Sequence, residues 1–344
     1  MPVPLLLLLL VVAALMPASC RPVGHGSHKE ARAFVDEIRL PTTPVKDQGA
    51  SSLCWIYAML AVVETDHIVQ DDSINLSVDY VARTMIAEAA LHYWQIGQPT
   101  PPDYTRGMPQ NALRLMLAHG TMLYDAYHSD ATRPARAADA AAHVIATTGT
   151  RESVAALIDA ALDYELGPLP PAVHFLGETY TPQEMTHSLF RANDYEAYAS
   201  STHHPYGTRF LLEVPDNYHA IDRNLYVNVP LDTLITIIDS ALRDGHAVAW
   251  SGDVTEPCYS FAQGIAELPS NTRCTDAERQ LDIDTRRTTD DHAMAIIGIA
   301  HDADGRRFYI AKDSQGTRNA HQGYMYLSEN YVRAKTMAIV VKRR

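Results

Sequence analysis

The chain has 344 residues, 47% of them hydrophobic and 20% charged, and its 28 Lys and Arg against 41 Asp and Glu leave a formal charge of −13. This composition is globular and excludes disorder or a low-complexity fibre, while the acidic balance, with a pI near 5.6, offers no field to attract nucleic acid or an anionic membrane. Four cysteines without CxxC spacing are too few for a disulfide scaffold and do not form a zinc ribbon.

Residues 5–15, LLLLLLVVAAL, form an apolar run that stops short of the roughly 20 residues a bilayer span needs, and they lead into Met16-Pro17-Ala18-Ser19-Cys20. Residues 1–19 are therefore expected to be an export signal. The small residues before Cys20 resemble a bacterial lipoprotein cleavage site, after which Cys20 would carry the lipid and tether the chain to a membrane; simple secretion is the alternative. Residues 20–33 contain Gly, Pro and His without periodicity and read as a linker, with the folded domain expected over 34–344. Apolar residues recur at helical spacing over 55–69, 77–94 and 109–118, and an Ala-rich stretch over 131–164 is helical with a break near Thr148-Gly149. From residue 206 the pattern shortens into strand-like runs, YGTRFLLEV and NLYVNV, followed by one more helix over 231–243. The last third carries the stronger strand signals, in AVAWSGDV, HAMAIIGIA, RRFYIAK, GYMYLS and TMAIVVK. Helices first and strands last indicate an α+β chain rather than repeating βαβ units.

The chemistry concentrates in Pro44-Val45-Lys46-Asp47-Gln48-Gly49-Ala50-Ser51-Ser52-Leu53-Cys54-Trp55. Cys54 opens a strongly apolar helix, with Ser51 and Ser52 available as caps, and a thiol there feels the positive end of the helix dipole, which favours thiolate. A lone cysteine is more often an ordinary buried thiol. The company alters that reading. Gln48 sits in a Gly-containing loop from which its side-chain NH₂ could reach back to an oxyanion. Downstream, Asp290-Asp291-His292 opens a buried strand, and a reversal centred between residues 302 and 303 would set His292 opposite Asp313. The Asp-Gly at 304–305 would centre that turn slightly later, so a bulge must absorb the difference. Asp302-x-Asp304-Gly305 lacks the remaining ligands of a calcium loop and reads as turn chemistry.

These residues resemble the papain-like cysteine peptidases. PVKDQGASSLCW is similar to the family's catalytic-cysteine motif, DHAMAIIGIA and YIAKDSQGT to its histidine and asparagine motifs, and Gly107-Met108-Pro109-Gln110-Asn111-Ala112-Leu113 to its substrate-cleft segment. The long separation of Cys54 from His292, Ser51 in place of a disulfide cysteine, and the segments ASSTHHPYG, AVAWSGDVTEP and GYMYLSENYVRAKTMAIVVK resemble the bleomycin hydrolase and aminopeptidase C branch, and most of all its exported bacterial members. The resemblance implies a two-lobed fold with an N-terminal helical lobe, a C-terminal antiparallel, barrel-like β lobe, and a helical insertion at about 130–205.

Carried over residue by residue, it implies Cys54 as nucleophile, His292 as general base and later acid, and Gln48 as an oxyanion donor together with the Cys54 backbone N–H. Asp313 stands where the family has asparagine, and Gln315 where it has a tryptophan that shields the hydrogen bond to histidine. Arg106 replaces the first glycine of the cleft pair. Gly107 and Asp291 are the substrate-binding positions, and Asp290 and Asp291 are also placed to raise the pKa of His292. His203-His204 reads as a solvated pair, without metal-site spacing. Cys258 and Cys274 could close a disulfide in an oxidising compartment or stand as two thiols. The expectation is an exported bacterial cysteine peptidase of the periplasm or cell envelope, or a secreted one. It would act on peptide or protein substrates without a cofactor, trimming them from the amino end as the branch does; the alternatives are an endopeptidase and a catalytically silent protein that binds peptides.

Overall fold

The computed structural model describes residues 32–98, 105–147, 151–219, 224–269 and 273–343. The expected export signal, Cys20 and most of the linker lie outside the described residues. The chain enters with β1 (Phe34–Arg39) and then builds a helical lobe from α1 (Cys54–Ile68), α2 (Val78–Gln95) and α3 (Pro109–His119). Next come α4 (Arg133–Thr147), α5 (Arg151–Leu166), a hairpin of β2 (Val173–Phe175) and β3 (Glu178–Tyr180), and α6 (Pro182–Leu189). The second lobe contains β4 (Tyr195–Ala199), β5 (Arg209–Leu211), α7 (Pro215–His219), β6 (Leu225–Asn228), α8 (Leu231–Arg243) and β7 (Val248–Gly252). It continues through β8 (Tyr259–Ser260), β9 (Ile265–Ala266), α9 (Asp276–Asp284), β10 (His292–Asp302) and β11 (Arg307–Lys312), and ends with β12 (Tyr324–Ser328), α10 (Glu329–Lys335) and β13 (Thr336–Lys342).

α1 is apolar on nearly every side because it packs in the middle, against β10, β7, α2 and α3. α8 has the opposite design, one apolar stripe of Leu231, Leu234, Ile235, Ile238 and Leu242 laid on the sheet. With α1 on one face and α8 on the other, β10 is buried on both sides, which is why HAMAIIGIA reads as an unbroken apolar run. Ala293, Ala295 and Ile297 face the helical lobe, and Met294 and Ile296 face α8.

Among the described residues the sheet has eleven strands, in the order β5-β6-β4-β13-β7-β10-β11-β12-β9-β8, with β1 paired to β10 beside this path. The first half of β10 pairs with β7 and the second half with β1, and the changeover falls at Gly298. A Cβ there would lie 2.2 Å from the Ile38 carbonyl oxygen, so only glycine lets β1 approach. The sheet is largely antiparallel, but β4-β6 and β9-β12 are parallel, and among the described residues it is open rather than the barrel-like closure expected from the sequence. Two short edge strands, β5 and β8, close its ends without meeting.

The segment 130–205, expected to be a helical insertion, does hold α4 and α5, which pair with each other and pack on α2. It also holds the β2-β3 hairpin and β4, whose buried Tyr195, Ala197 and Ala199 pair with β13 in the main sheet.

The turn between β10 and β11 closes over residues 303–305. Gly305 lies at φ +76°, and the Asp302 carboxylate accepts the N–H groups of Asp304 (3.0 Å) and Arg306 (2.8 Å). His301 therefore pairs with Arg307, and a bulge at Ile296/Gly298 carries the ladder to Ala295 opposite Lys312. The turn therefore centres later than the 302–303 reversal that sets 292 directly opposite 313, and a bulge takes up the difference, as the Asp-Gly at 304–305 implied. The ladder ends before either residue, and their side chains meet beyond it.

Candidate active site

Cys54 is the first residue of α1, half-exposed, and carries a free thiol. The expected serine cap is absent: Leu53 precedes the helix without a side-chain cap, and the Ser51 hydroxyl instead donates to the Gln48 carbonyl (2.7 Å). An uncapped first turn leaves its N–H groups directed at whatever negative charge develops beside Cys54.

His292, the first residue of β10, is buried, and on one side the Cys54 thiol favours its charged form. On the other side its Nε2 meets Asp313 Oδ1 at 2.8 Å. Burial opposes the charged form of this imidazole, but Asp313 and Cys54 outweigh it and hold the His292 pKa well above the ordinary histidine value. Asp290 and Asp291, expected to contribute that effect, are committed elsewhere. Asp290 accepts the Asp216 N–H (2.8 Å), and Asp291 accepts the Val254 N–H (2.9 Å) and the Thr289 hydroxyl (2.9 Å). Burial, together with the neighbouring Asp253, pushes Asp291 up to about 6.

Asp313 follows β11 and its side chain is fully buried. Oδ1 accepts both His292 Nε2 and the Ser314 backbone N–H (2.7 Å), and Oδ2 accepts the Tyr259 hydroxyl (3.3 Å). Gln48 is tied to the same segment. Its N–H donates to the Ser314 carbonyl (2.7 Å), its Oε1 accepts the Ser314 hydroxyl (2.6 Å), and its Nε2 donates one hydrogen to the Ser51 carbonyl (2.7 Å). That fixes the amide with nitrogen, not oxygen, toward the start of α1 and leaves its second hydrogen for an incoming group. Sequence reasoning missed Ser314 and Tyr259. Ser314 lies inside the YIAKDSQGT motif and could have been found there, whereas a lone tyrosine at 259 carried no signal.

Gly107 is buried against Trp55: a Cβ would sit 3.0 Å from the indole Cε2, and the indole N–H holds the Thr105 carbonyl (2.9 Å). The cleft segment is thereby pinned to the residue that follows Cys54. Arg106, next to it, bonds the Asp216 carboxylate (2.5 Å) and the Asp290 carbonyl (3.1 Å). A cavity of about 730 Å³ opens from here, lined by Arg106, Val214, Thr255, Thr289, Asp290 and Asp291.

Among the described residues, no three His, Cys, Asp or Glu side chains are grouped to hold a metal ion. His203 pairs with Asp284 (3.0 Å) at the surface, and His204 lies against Phe210. Cys258 and Cys274, considered as a disulfide, are separate thiols. Cys258 lies before β8 near Glu256 and Lys335, while Cys274 lies before α9, its N–H on Asn330 Oδ1 (2.9 Å) and its carbonyl on Arg333 (3.1 Å).

The profile of the Peptidase C1-like family matches residues 176–344, which include His292 and Asp313. Aminopeptidase W of Lactobacillus delbrueckii subsp. lactis is 25% identical over 162 residues, 44% of this chain and 36% of that protein. Aminopeptidase G of the same organism is 23% identical over 188 residues, 50% of this chain and 41% of its own length. The chain thus aligns with less than half the length of these curated relatives. The crystal structure of PepW from Lactobacillus rhamnosis superposes with a TM-score of 0.67 at 16% identity, covering 91% of this chain and 83% of that one. Its fold is the two-lobed α+β architecture described above. The chain thus resembles the papain-like cysteine peptidases of the bleomycin hydrolase and aminopeptidase C branch, in sequence over residues 176–344 and in fold over both lobes.

Proposed function

We propose that this chain is a cysteine-type peptidase that hydrolyses peptide bonds through a thiolate–imidazolium pair of Cys54 and His292, and that it removes residues from the amino end of peptides. The observation that carries the reading is the buried His292–Asp313 pair, 2.8 Å from Nε2 to Oδ1, with the Cys54 thiol at the start of α1 acting on the same imidazole. The Cys54 thiolate attacks the peptide carbonyl, and the Gln48 amide and the Cys54 N–H receive the negative charge that forms on its oxygen. His292 then gives its proton to the leaving amine. Afterwards it takes a proton from water, which attacks the thioester and frees the enzyme.

Aminopeptidase action is supported by the names of the relatives. Export to the bacterial envelope, with Cys20 as the lipid-bearing residue, belongs to the same proposal and rests on residues 1–20. The test offers unblocked aminoacyl amides and N-blocked peptides to the reduced protein, with Cys54→Ala as control. The proposal expects turnover of the unblocked substrates alone. Cleavage of blocked peptides overturns the aminopeptidase reading in favour of an endopeptidase, and turnover of neither overturns the enzyme in favour of a peptide-binding protein.

A further inference from the structure

Asp313 is unusual in its family position because a carboxylate has two equivalent oxygens and only one can serve the histidine. Here the second oxygen has its own donor. Tyr259 belongs to β8, three places from β11 in the sheet, yet its hydroxyl reaches Asp313 Oδ2 at 3.3 Å. The Asp313 side chain has no exposure to water, so an Oδ2 without Tyr259 would be a buried charge lacking its partner. An amide at 313 would turn an N–H₂ toward this hydroxyl, which then could not donate to it. Gln315 stands in the place of the family's shielding tryptophan, yet His292 and Asp313 remain buried. The tyrosine and the carboxylate therefore fit each other.

We propose that Tyr259 is a positioning residue for the reaction: its hydroxyl takes Asp313 Oδ2, fixes Oδ1 on His292 Nε2, and draws part of the carboxylate's negative charge away from the imidazole. The inference rests on the peptidase reading for its functional meaning, but the Tyr259–Asp313–His292 chain exists independently of turnover. The hydroxyl stabilises a bare carboxylate more than one already neutralised by an imidazolium, so it favours loss of the His292 proton. Other groups around Asp313 do not replace it. Lys46 is paired with Glu64 (2.8 Å), and Lys312, pushed down to about 8 by burial, donates to Thr43 (2.8 Å). Tyr57 of α1 borders the same space, while Asp291 and Tyr331 act on Tyr259 itself. All of these are the same in the variants below.

The experiment follows the alkylation rate of Cys54 by iodoacetamide against pH, read at the Cys54 peptide by mass spectrometry, in wild type, Tyr259→Phe, Asp313→Asn and the double variant. Thermal melts accompany each protein to show that it is folded. The high-pH inflection reports loss of the His292 proton from the ion pair. It is expected to move upward by about half a pH unit in Tyr259→Phe and downward in Asp313→Asn, and not to respond to Tyr259→Phe once the carboxylate is gone. A folded Tyr259→Phe with an unmoved inflection overturns the proposal, as does an equal shift in the Asp313→Asn background. Because alkylation needs no substrate, failure of the peptidase reading would appear separately, as absent turnover with the inflections intact.

Discussion

Replacing Asp313 with asparagine removes a charge while keeping the shape and one acceptor. The pair is short, 2.8 Å from His292 Nε2 to Asp313 Oδ1, and neither side chain is more than 4% exposed, so bulk water screens it little. Two unit charges at that separation in an effective dielectric of about 20 attract by about 6 kcal/mol, of which desolvation of the buried pair offsets several kcal/mol. An amide oxygen retains a hydrogen bond to the cation, so about 2–3 kcal/mol of imidazolium stabilisation is lost. At about 1.4 kcal/mol per pH unit, the ionisation of His292 falls by about two pH units. The sign is fixed: with a lower His292 pKa the thiolate–imidazolium pair dissolves at lower pH, and the alkaline limb of kcat/KM retreats. The assay is the pH profile of kcat/KM on an unblocked aminoacyl amide. We expect Asp313→Asn to stay within about tenfold of wild type near its optimum, with the alkaline limb moved down. An unmoved limb would show that Asp313 does not charge His292. Complete inactivity of a folded variant would show that the carboxylate does something an amide cannot.

Gln48→Ala should lower kcat by about a hundredfold or more while changing KM little, because the amide acts on charge that exists only in the transition state; a raised KM with kcat unchanged would assign Gln48 to substrate binding. Asp291, raised to about 6 beside Asp253, retains in the folded state a proton that the unfolded chain has released between its ordinary value near 4 and 6. It therefore lowers stability as pH rises through that window. Asp291→Asn should raise stability at neutral pH by about 1 kcal/mol after allowance for its partial exposure, with little gain at acid pH; denaturant midpoints at the two pH values measure it, and an equal gain at both would rule out the carboxyl pair as the cause.

Much of the architecture was legible wherever burial stamped a period on the sequence. α8 shows a single stripe and β10 an uninterrupted apolar run, and both were found within a residue or two. β1 was not, because FVDEIR is mostly exposed and charged and gains its strand state from pairing with β10. β4 has buried Tyr195, Ala197 and Ala199 in strict alternation, but five residues after an Ala-rich helical region gave too little signal to separate a sheet strand from the insertion. The register of β10 and β11 was half legible: 292 does not sit opposite 313, but the turn centres on Asp304 beside the Asp-Gly, and a bulge at Ile296/Gly298 takes up the difference; the approach of Ile38 to Gly298 is a contact invisible in sequence. At the site, the motifs brought out Cys54, Gln48, His292 and Asp313, whose neighbours lie along the chain. What escaped was contributed across space, by Tyr259 to Asp313; the charge on His292 is held by Asp313, whose carboxylate the sequence already set there, and by Cys54, rather than by Asp290 and Asp291.

The proposed peptidase depends on Cys54 being a nucleophile activated by His292. A peptidyl epoxide that alkylates cysteine peptidases at the catalytic thiol tests it most directly, with labelling mapped by mass spectrometry and hydrolysis followed in the same samples. A single label per chain is expected, on Cys54, rising in step with loss of hydrolysis, absent from Cys54→Ala and strongly slowed in His292→Ala. A protein that hydrolyses nothing and takes no label on Cys54, or one whose labelling is indifferent to His292, would contradict it.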